Sequence, residues 1–419
     1  MKILQTEFFK KIPFKTISFS AVNAFVMLVL SLYWLSLPRT FGDEAFFVKW
    51  TNLVKKAFIT PKKKINPESV LYVDIANSKE ISETIDPFYE EKTGYYTTAI
   101  TNRSDLATFL SYIKKYGSDI PILILDLDFE QPSPNDSLLQ AAIDSFPFPI
   151  VGGERLYKRL PNNENAIRLR TGIASYQSTN DLFLKYPLFL QNDRPSLPLV
   201  AMSLVNHATY KKGWLLPHIN QKISLANPII DFKINPNNLN NGTSADKNTF
   251  SVRPLATILY EWEEIWDEDF IKSMLSHTTI IVGNFQTDIH NTVFGRCPGP
   301  LIIHNAYLTL LEGSSLIKGS WLLFIFTLFF WMSWRIYQQE KKGIRSKWWH
   351  KSKTAVGKIL ADGIDDSLFL IIGTILSYFL FNIHINILVL FIYLKIVTFI
   401  LKRFVFRRDK TTQNEALQT

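Results

Sequence analysis

Ile120–Leu127 reads IPILILDL, an almost unbroken apolar run with one carboxylate, Asp126, near its end. A run this short and this apolar is the pattern of a strand buried on both faces, as parallel sheets require. On its N-terminal side, Ser104-Asp105 is placed to cap a helix, with Leu106, Phe109, Leu110 and Ile113 on one face and Gly117 as its stop. Before that helix lies a second short apolar run, Ser69–Ile75 (SVLYVDI), with Asp74 near its end. On the C-terminal side, Asp136 opens a helix containing Leu138, Leu139, Ala142 and Ile143, and Phe148–Val151 is a third strand followed by Gly152-Gly153. The order β-α-β-α-β predicts a mainly parallel sheet flanked by helices, an α/β domain.

Further along, Ile167–Gly172 is a candidate strand and Pro198–Asn206 an apolar helix, while the Asn-, Ser- and Pro-rich Asn235–Thr249 reads as a surface loop. Thr278–Gly283 (TTIIVG) is again a strand. Gly299–Leu311 is a helix with Ile303, Ala306, Tyr307 and Leu310 on one face, closed by Gly313.

Outside this domain the composition changes. Thr16–Leu37 (TISFSAVNAFVMLVLSLYWLSL) carries no charge and follows Lys10, Lys11 and Lys15. It meets the roughly 20 apolar residues a transmembrane helix needs and reads as an uncleaved signal anchor. Trp321–Trp334 (WLLFIFTLFFWMSW) begins a second span, and Ser367–Phe381 with Ile387–Leu401 form a hairpin of two more. The expected plan is a cytoplasmic N-terminus (1–15), a first span (16–37), an extracytoplasmic α/β domain (38–318) and a second span (320–337). A basic loop (338–366), spans at 367–382 and 387–402 and a tail (403–419) complete it.

The net charge of +9 is unevenly placed. Between Pro38 and Gly319 there are 28 Lys and Arg against 30 Asp and Glu, so the basic excess borders the apolar segments. That distribution fits membrane topology and not nucleic acid, with both termini and the loop containing Lys341, Lys342, Arg345 and Lys347 on the cytoplasmic side. Trp348, Trp349 and His350 in that loop read as an interfacial amphipathic stretch, for lipid headgroups first and a docking cytoplasmic partner second. Lys395 within the last span either contacts a membrane partner or snorkels. The single cysteine, Cys297, excludes an internal disulfide framework, so the domain depends on its packed core.

No Walker loop, G-x-S-x-G, H-E-x-x-H or cysteine cluster is present, so no enzyme or cofactor is expected. The candidate ligand groups are carboxylates at strand ends, where open α/β sheets bind ligands. They are Asp74, Asp126 and Asp128, with Asp136 opening the next helix and Asp288 following the later strand. Such a set suits a polar ligand or a hard cation such as Mg²⁺ or Ca²⁺. The same positions also serve structural ends, with Asp74 and Asp126 accepting loop N–H groups and Asp136 capping a helix. His290 and His304 form a candidate metal pair, each also an ordinary hydrogen-bonding residue.

Four segments resemble the second type of CHASE domain, the cyclase/histidine-kinase-associated sensory extracellular domain. They are the early strand with Asp74; Leu125–Ile143 (LDLDFEQPSPNDSLLQAAI); the Ser-Leu-Pro-Leu start at Ser196; and Ile281–Gly313 (IVGNFQTDIHNTVFGRCPGPLIIHNAYLTLLEG). The last looks like the family's closing pattern of Gly, Asp, Thr-Pro, Pro-Gly, His-Ala and Leu-Leu-x-Gly, with Val293 in place of the usual Pro. The resemblance covers roughly Ser69 to Gly313. It implies a sensory domain of a bacterial inner-membrane protein, with one span before it and three after. Family members usually continue into a cyclase or kinase, whereas about ten residues follow Arg408. A sensor or adaptor that signals through a separate membrane or cytoplasmic protein is therefore the leading expectation, with a homo-oligomer left open. The alternatives are a structural subunit of an envelope complex and, third, a metal-dependent external hydrolase.

Overall fold

The computed structural model describes residues 14–37, 42–58, 65–85, 95–156, 167–175, 182–240, 249–342, 355–401 and 403. Lys10, Lys11, Arg345, Lys347, Trp348–His350 and nearly all of the tail lie outside them. The chain divides into two units: Lys56–Ser315, and the helices before and after it.

In the helical unit, helix α1 (Phe14–Ser36) is followed by α2 (Gly42–Phe58), a helix not anticipated from the sequence. The uncharged run of α1 packs Asn23, Ala24, Met27 and Ser31 inward and leaves Val22, Phe25, Val29 and Tyr33 exposed. Polar and small groups inside with large apolar groups outside invert the pattern of a water-soluble helix.

The Lys56–Ser315 unit begins with β1 (Val70–Asp74), then a hairpin of β2 (Lys79–Ile85) and β3 (Tyr95–Thr101) that the sequence reading did not contain. Helix α3 (Arg103–Tyr116) leads to β4 (Leu123–Leu125), α4 (Asp136–Asp144), β5 (Ile150–Glu154) and β6 (Thr171–Ile173). The cap of α3 is Asn102, whose Oδ1 accepts from the N–H groups of Ser104 and Asp105 at 3.0 and 3.1 Å. Asp105 instead accepts from the Ser78 hydroxyl at 2.6 Å. Gly117 ends α3 as expected, and Gly152-Gly153 lie within β5.

After β7 (Leu182–Phe183) and α5 (Leu197–Asn206), β8 (Tyr210–Lys211), β9 (His218–Ile219) and β10 (Lys222–Ile223) make a small separate sheet. The stretch read as a loop from Asn235 instead supplies an edge strand, β11 (Leu239–Asn240), before residues 241–248, which lie outside the described set. Strand β12 (Phe250–Pro254) follows, then α6 (Leu255–Glu264), α7 (Glu268–Leu275) and β13 (Thr279–Gly283). The hairpin β14 (Ile289–Thr292) and β15 (Gly295–Pro298) leads into α8 (Gly299–Leu311). At its turn, around Val293, Thr292 Oγ1 accepts from Phe294 N–H and donates to the Gly295 carbonyl, and Gly295 takes φ +94°.

The seven-stranded sheet runs β11-β12-β1-β13-β4-β5-β6, with every pairing parallel. Right-handed crossovers place every helix of a rightward connection on one face. Accordingly α3, α4, α6 and α7 share a core with Leu71, Val73, Leu123, Leu125, Ile280 and Val282. Phe109 stacks on Trp262 within it, centroids 5.4 Å apart. Helices α5 and α8 pack together on the opposite face, so the unit is a three-layer α/β/α sandwich, as the strand pattern predicts.

The chain returns to the helical unit with α9 (Gly319–Lys342), α10 (Ala355–Phe381) and α11 (Ile387–Ile400). Helices α1 and α9 are long and apolar enough to cross a membrane. The apolar part of α10, Leu368–Phe381, and α11 are shorter. Asn23 joins three helices, donating to Ser333 Oγ at 2.7 Å and accepting from Tyr393 OH at 2.6 Å. Between α10 and α11, the Asn382–Asn386 link is fixed by Ser377, which donates to the Ile383 carbonyl at 2.7 Å and accepts from Trp321 Nε1 at 2.9 Å.

Candidate functional site

Strands β13 and β4 are neighbours, yet the chain leaves β4 toward α4 on one face and leaves β13 toward α8 on the other. At such a divergence no helix closes the carboxyl ends of the strands, and a crevice forms. A cleft of about 620 Å³ occupies this position. The end of β4 contributes Asp126 and Asp128, β5 contributes Glu154 and Arg155, the loop after β13 contributes Asn284, Thr287 and Asp288, and α8 begins at Gly299.

Most of these groups are paired. Asp128 accepts from Arg155 Nε at 2.6 Å and from the Glu130 N–H at 2.9 Å. Glu154 pairs with Arg194 at 2.9 Å and accepts from Thr171 Oγ1 at 3.2 Å. Asp288 Oδ1 lies 2.8 Å from His290 Nε2, and the imidazole meets the Phe183 ring edge-on at 4.7 Å. The Asp288 carbonyl accepts from Gly299 N–H at 2.7 Å, and its carboxylate occupies the space over Gly299, where a Cβ would fall 1.9 Å from Oδ2. Glycine at the start of α8 therefore makes room for the Asp288 carboxylate.

Asp126 differs. Its carboxyl has no side-chain hydrogen bond or ion pair among the described residues. Part of its surface opens on the cleft, while protein packs around the rest. Burial, and secondarily the charge of Asp288, push its pKa up to about 8. An acid held this way favours its protonated form at neutral pH and can donate a hydrogen bond to a ligand. When a cation offsets the charge it becomes a carboxylate ligand. Asp126 and Asp288 on one cleft suit a hard divalent ion that keeps most of its waters, or a polar cationic group.

The other candidates separate from this pair. Asp74 is buried and accepts from Ala76 N–H at 3.1 Å, Phe285 N–H at 3.0 Å and Gln286 Nε2 at 2.7 Å, so it ties down the loop after β13. Asp136 accepts from Ser133 N–H at 2.8 Å and lies 3.4 Å from Nε of the fully buried Arg103. His304 is sealed in the core, with Tyr72 OH 2.7 Å from Nδ1, and burial lowers its pKa to about 3. His290 lines the cleft, so the two histidines have separate surroundings and do not form a metal pair. Among the described residues, no group of three or more His, Cys, Asp or Glu is arranged to hold a metal ion. Cys297 is buried, which raises its thiol pKa. Lys395 lies over the Phe391 ring of its own helix at 5.0 Å.

Sequence reasoning missed Glu154, Arg155, Asn284 and Thr287. Glu154 closes the short β5 and Arg155 follows it, much as Asp126–Asp128 follow β4, so extending the strand-end rule to β5 finds them. Compared with protein-family models, curated proteins and solved structures, the chain has no match.

Proposed function

We propose that the protein is a bacterial inner-membrane sensor or adaptor whose α/β domain takes up a small polar or cationic ligand, a divalent cation included, in the Asp126–Asp288 cleft. One observation carries the reading: the Asp126 carboxyl stands without a hydrogen-bond partner among the described residues, at the mouth of a crevice between β4 and β13. A half-buried carboxyl whose pKa is raised and which faces a cleft without a protein partner is a candidate binding position. The resemblance to the second type of CHASE domain agrees with this, since it implies a sensory role.

On this reading α1, α9, the Leu368–Phe381 part of α10, and α11 are the four spans, with both termini cytoplasmic and the α/β domain outside. Their exposed apolar faces, the polar groups buried by α1, α9 and α10 (Asn23, Ser31, Ser333, Thr374 and Ser377), and the basic flanks support that arrangement. Ligand binding would then be read by a separate membrane or cytoplasmic protein.

The test is thermal unfolding of the full chain in detergent, titrated with MgCl₂, CaCl₂ or a short diamine. At least one is expected to raise the midpoint of the wild type and of Asp74→Asn, and none that of Asp126→Asn. No response of the wild type to any of the three would remove the reading. The alternative, a structural subunit of an envelope complex, draws support from Tyr260, Ile265 and Phe270, exposed by 60, 59 and 52 % along α6 and α7. Recovery of one stoichiometric partner that is lost with Phe270→Glu, without any ligand response, would favour it.

A further inference from the structure

We propose that α2 is an interfacial helix, its Phe46–Trp50–Val54 stripe set into the lipid surface at the end of the helical unit where α10 and α11 are joined. This rests on the membrane-spanning reading above. Positions 46, 50 and 54 recur at four-residue spacing and share one side of α2, exposed by 59, 53 and 40 %. The opposite side, with Ala45, Val48, Thr51 and Asn52, is buried. An amphipathic helix with one face already packed and a second face of Phe, Trp and Val has two apolar requirements, and protein among the described residues meets only one of them.

Three observations place the second face. Lys55 Nζ donates to Asn382 Oδ1 at 3.0 Å and lies 4.9 Å over the Tyr378 ring, while Phe47 meets the His384 ring at 6.2 Å. From Phe47 to Lys55, α2 is therefore held against the Asn382–Asn386 link, the turn between two apolar helices. A groove of about 270 Å³ runs between the stripe and α10, lined on the α10 side by Ile375 and Phe379. The outward apolar surface of α10, with Ile372, Leu376 and Leu380 exposed by 48, 44 and 63 %, thus continues onto α2 without a polar break. If lipid covers α10, the same lipid reaches the stripe. Trp50 and the neighbouring exposed Lys49 suit the headgroup boundary, where an indole and an ammonium both find partners. A bilayer explains why the stripe is apolar, long and continuous with a span. A local protein contact would not need that continuity.

The experiment places a nitroxide label, one at a time, at Phe46→Cys, Trp50→Cys and Val54→Cys in a full-length Cys297→Ala background. The chain is reconstituted in phosphatidylcholine–phosphatidylglycerol vesicles, and collision with oxygen is compared with collision with a water-soluble nickel chelate. Leu323→Cys, on the exposed side of α9, is the lipid reference, and Trp214→Cys, at a fully exposed residue of the α/β domain, is the water reference. The oxygen-to-nickel ratio is expected to be several-fold higher at all three stripe positions than at Trp214. A ratio equal to that at Trp214 would overturn the proposal, because the stripe would face water. Low collision with both reagents would also overturn it, because another protein surface would cover the stripe. If Leu323 also behaves like Trp214, the membrane-spanning reading itself fails. If Leu323 is in lipid and the stripe is not, only the present proposal fails.

Discussion

Replacing Asp126 with Asn keeps the shape of the side chain and removes its titration, so it isolates the energetic consequence of the unpartnered carboxyl. The folded-state pKa is raised to about 8 from an ordinary 3.8, by burial first and Asp288 second. Between pH ~4 and ~8 the folded chain therefore holds a proton that the unfolded chain has released, and stability falls as pH rises through that window. At pH 7 the limiting cost is about 4 kcal/mol, from roughly three pK units at 1.36 kcal/mol each. Asp126 keeps part of its surface on the cleft, and solvent there reduces the cost, so ~2 kcal/mol is the working figure. For a unit of this size, ~2 kcal/mol corresponds to about 4–8 °C in midpoint. The assay is thermal unfolding of the full chain in detergent from pH 4.5 to 8, wild type against Asp126→Asn. The two midpoints are expected to converge near pH 4.5 and to separate by about 4–8 °C at pH 7–8, with the variant more stable. Parallel curves across the range, or a less stable variant at pH 8, would refute the reasoning, because the carboxyl would then be satisfied in the folded state.

Two further predictions follow from packing. Asp136→Ala leaves the fully buried Arg103 guanidinium without its carboxylate and is expected to destabilise by about 3–5 kcal/mol in chemical denaturation, while Arg103→Met with Asp136→Leu regains most of the loss. Gly172→Ala would place a Cβ 2.5 Å from Leu197 Cα and 2.7 Å from its N, backbone atoms that cannot turn aside. A loss of about 2–3 kcal/mol or more is expected for it, whereas Gly319→Ala, with nothing within 4 Å, serves as the silent control.

The elements legible in the sequence were those whose pattern is local. Val70–Asp74, Leu123–Leu125 and Thr279–Gly283 announce themselves because strands buried on both faces must be continuously apolar. Helix Gly299–Leu311 is readable from its Pro-Gly start and its apolar repeat. The elements missed have weaker local signals. The Lys79–Ile85 and Tyr95–Thr101 hairpin mixes charged and β-branched residues, and Leu239–Asn240 is only a two-residue edge strand inside a polar stretch. Helix Gly42–Phe58 carries charges among its aromatics, so its two apolar faces appear only after its neighbours are placed.

The candidate site divides in the same way. The sequence by itself determined which carboxylates stand at strand ends, because a short apolar run ending in Asp puts that Asp at the carboxyl end of its strand. It also determined the alternation of apolar segments and basic flanks, which is a property of composition along the chain. Only the tertiary structure decided that Asp126 and Asp288 share a cleft while Asp74 and Asp136 are taken up by loop N–H groups and by Arg103. The physical reason is strand order. Strand β13, far along the chain, inserts between β1 and β4, and that insertion brings Asp288 beside Asp126 and lays the loop after β13 across Asp74.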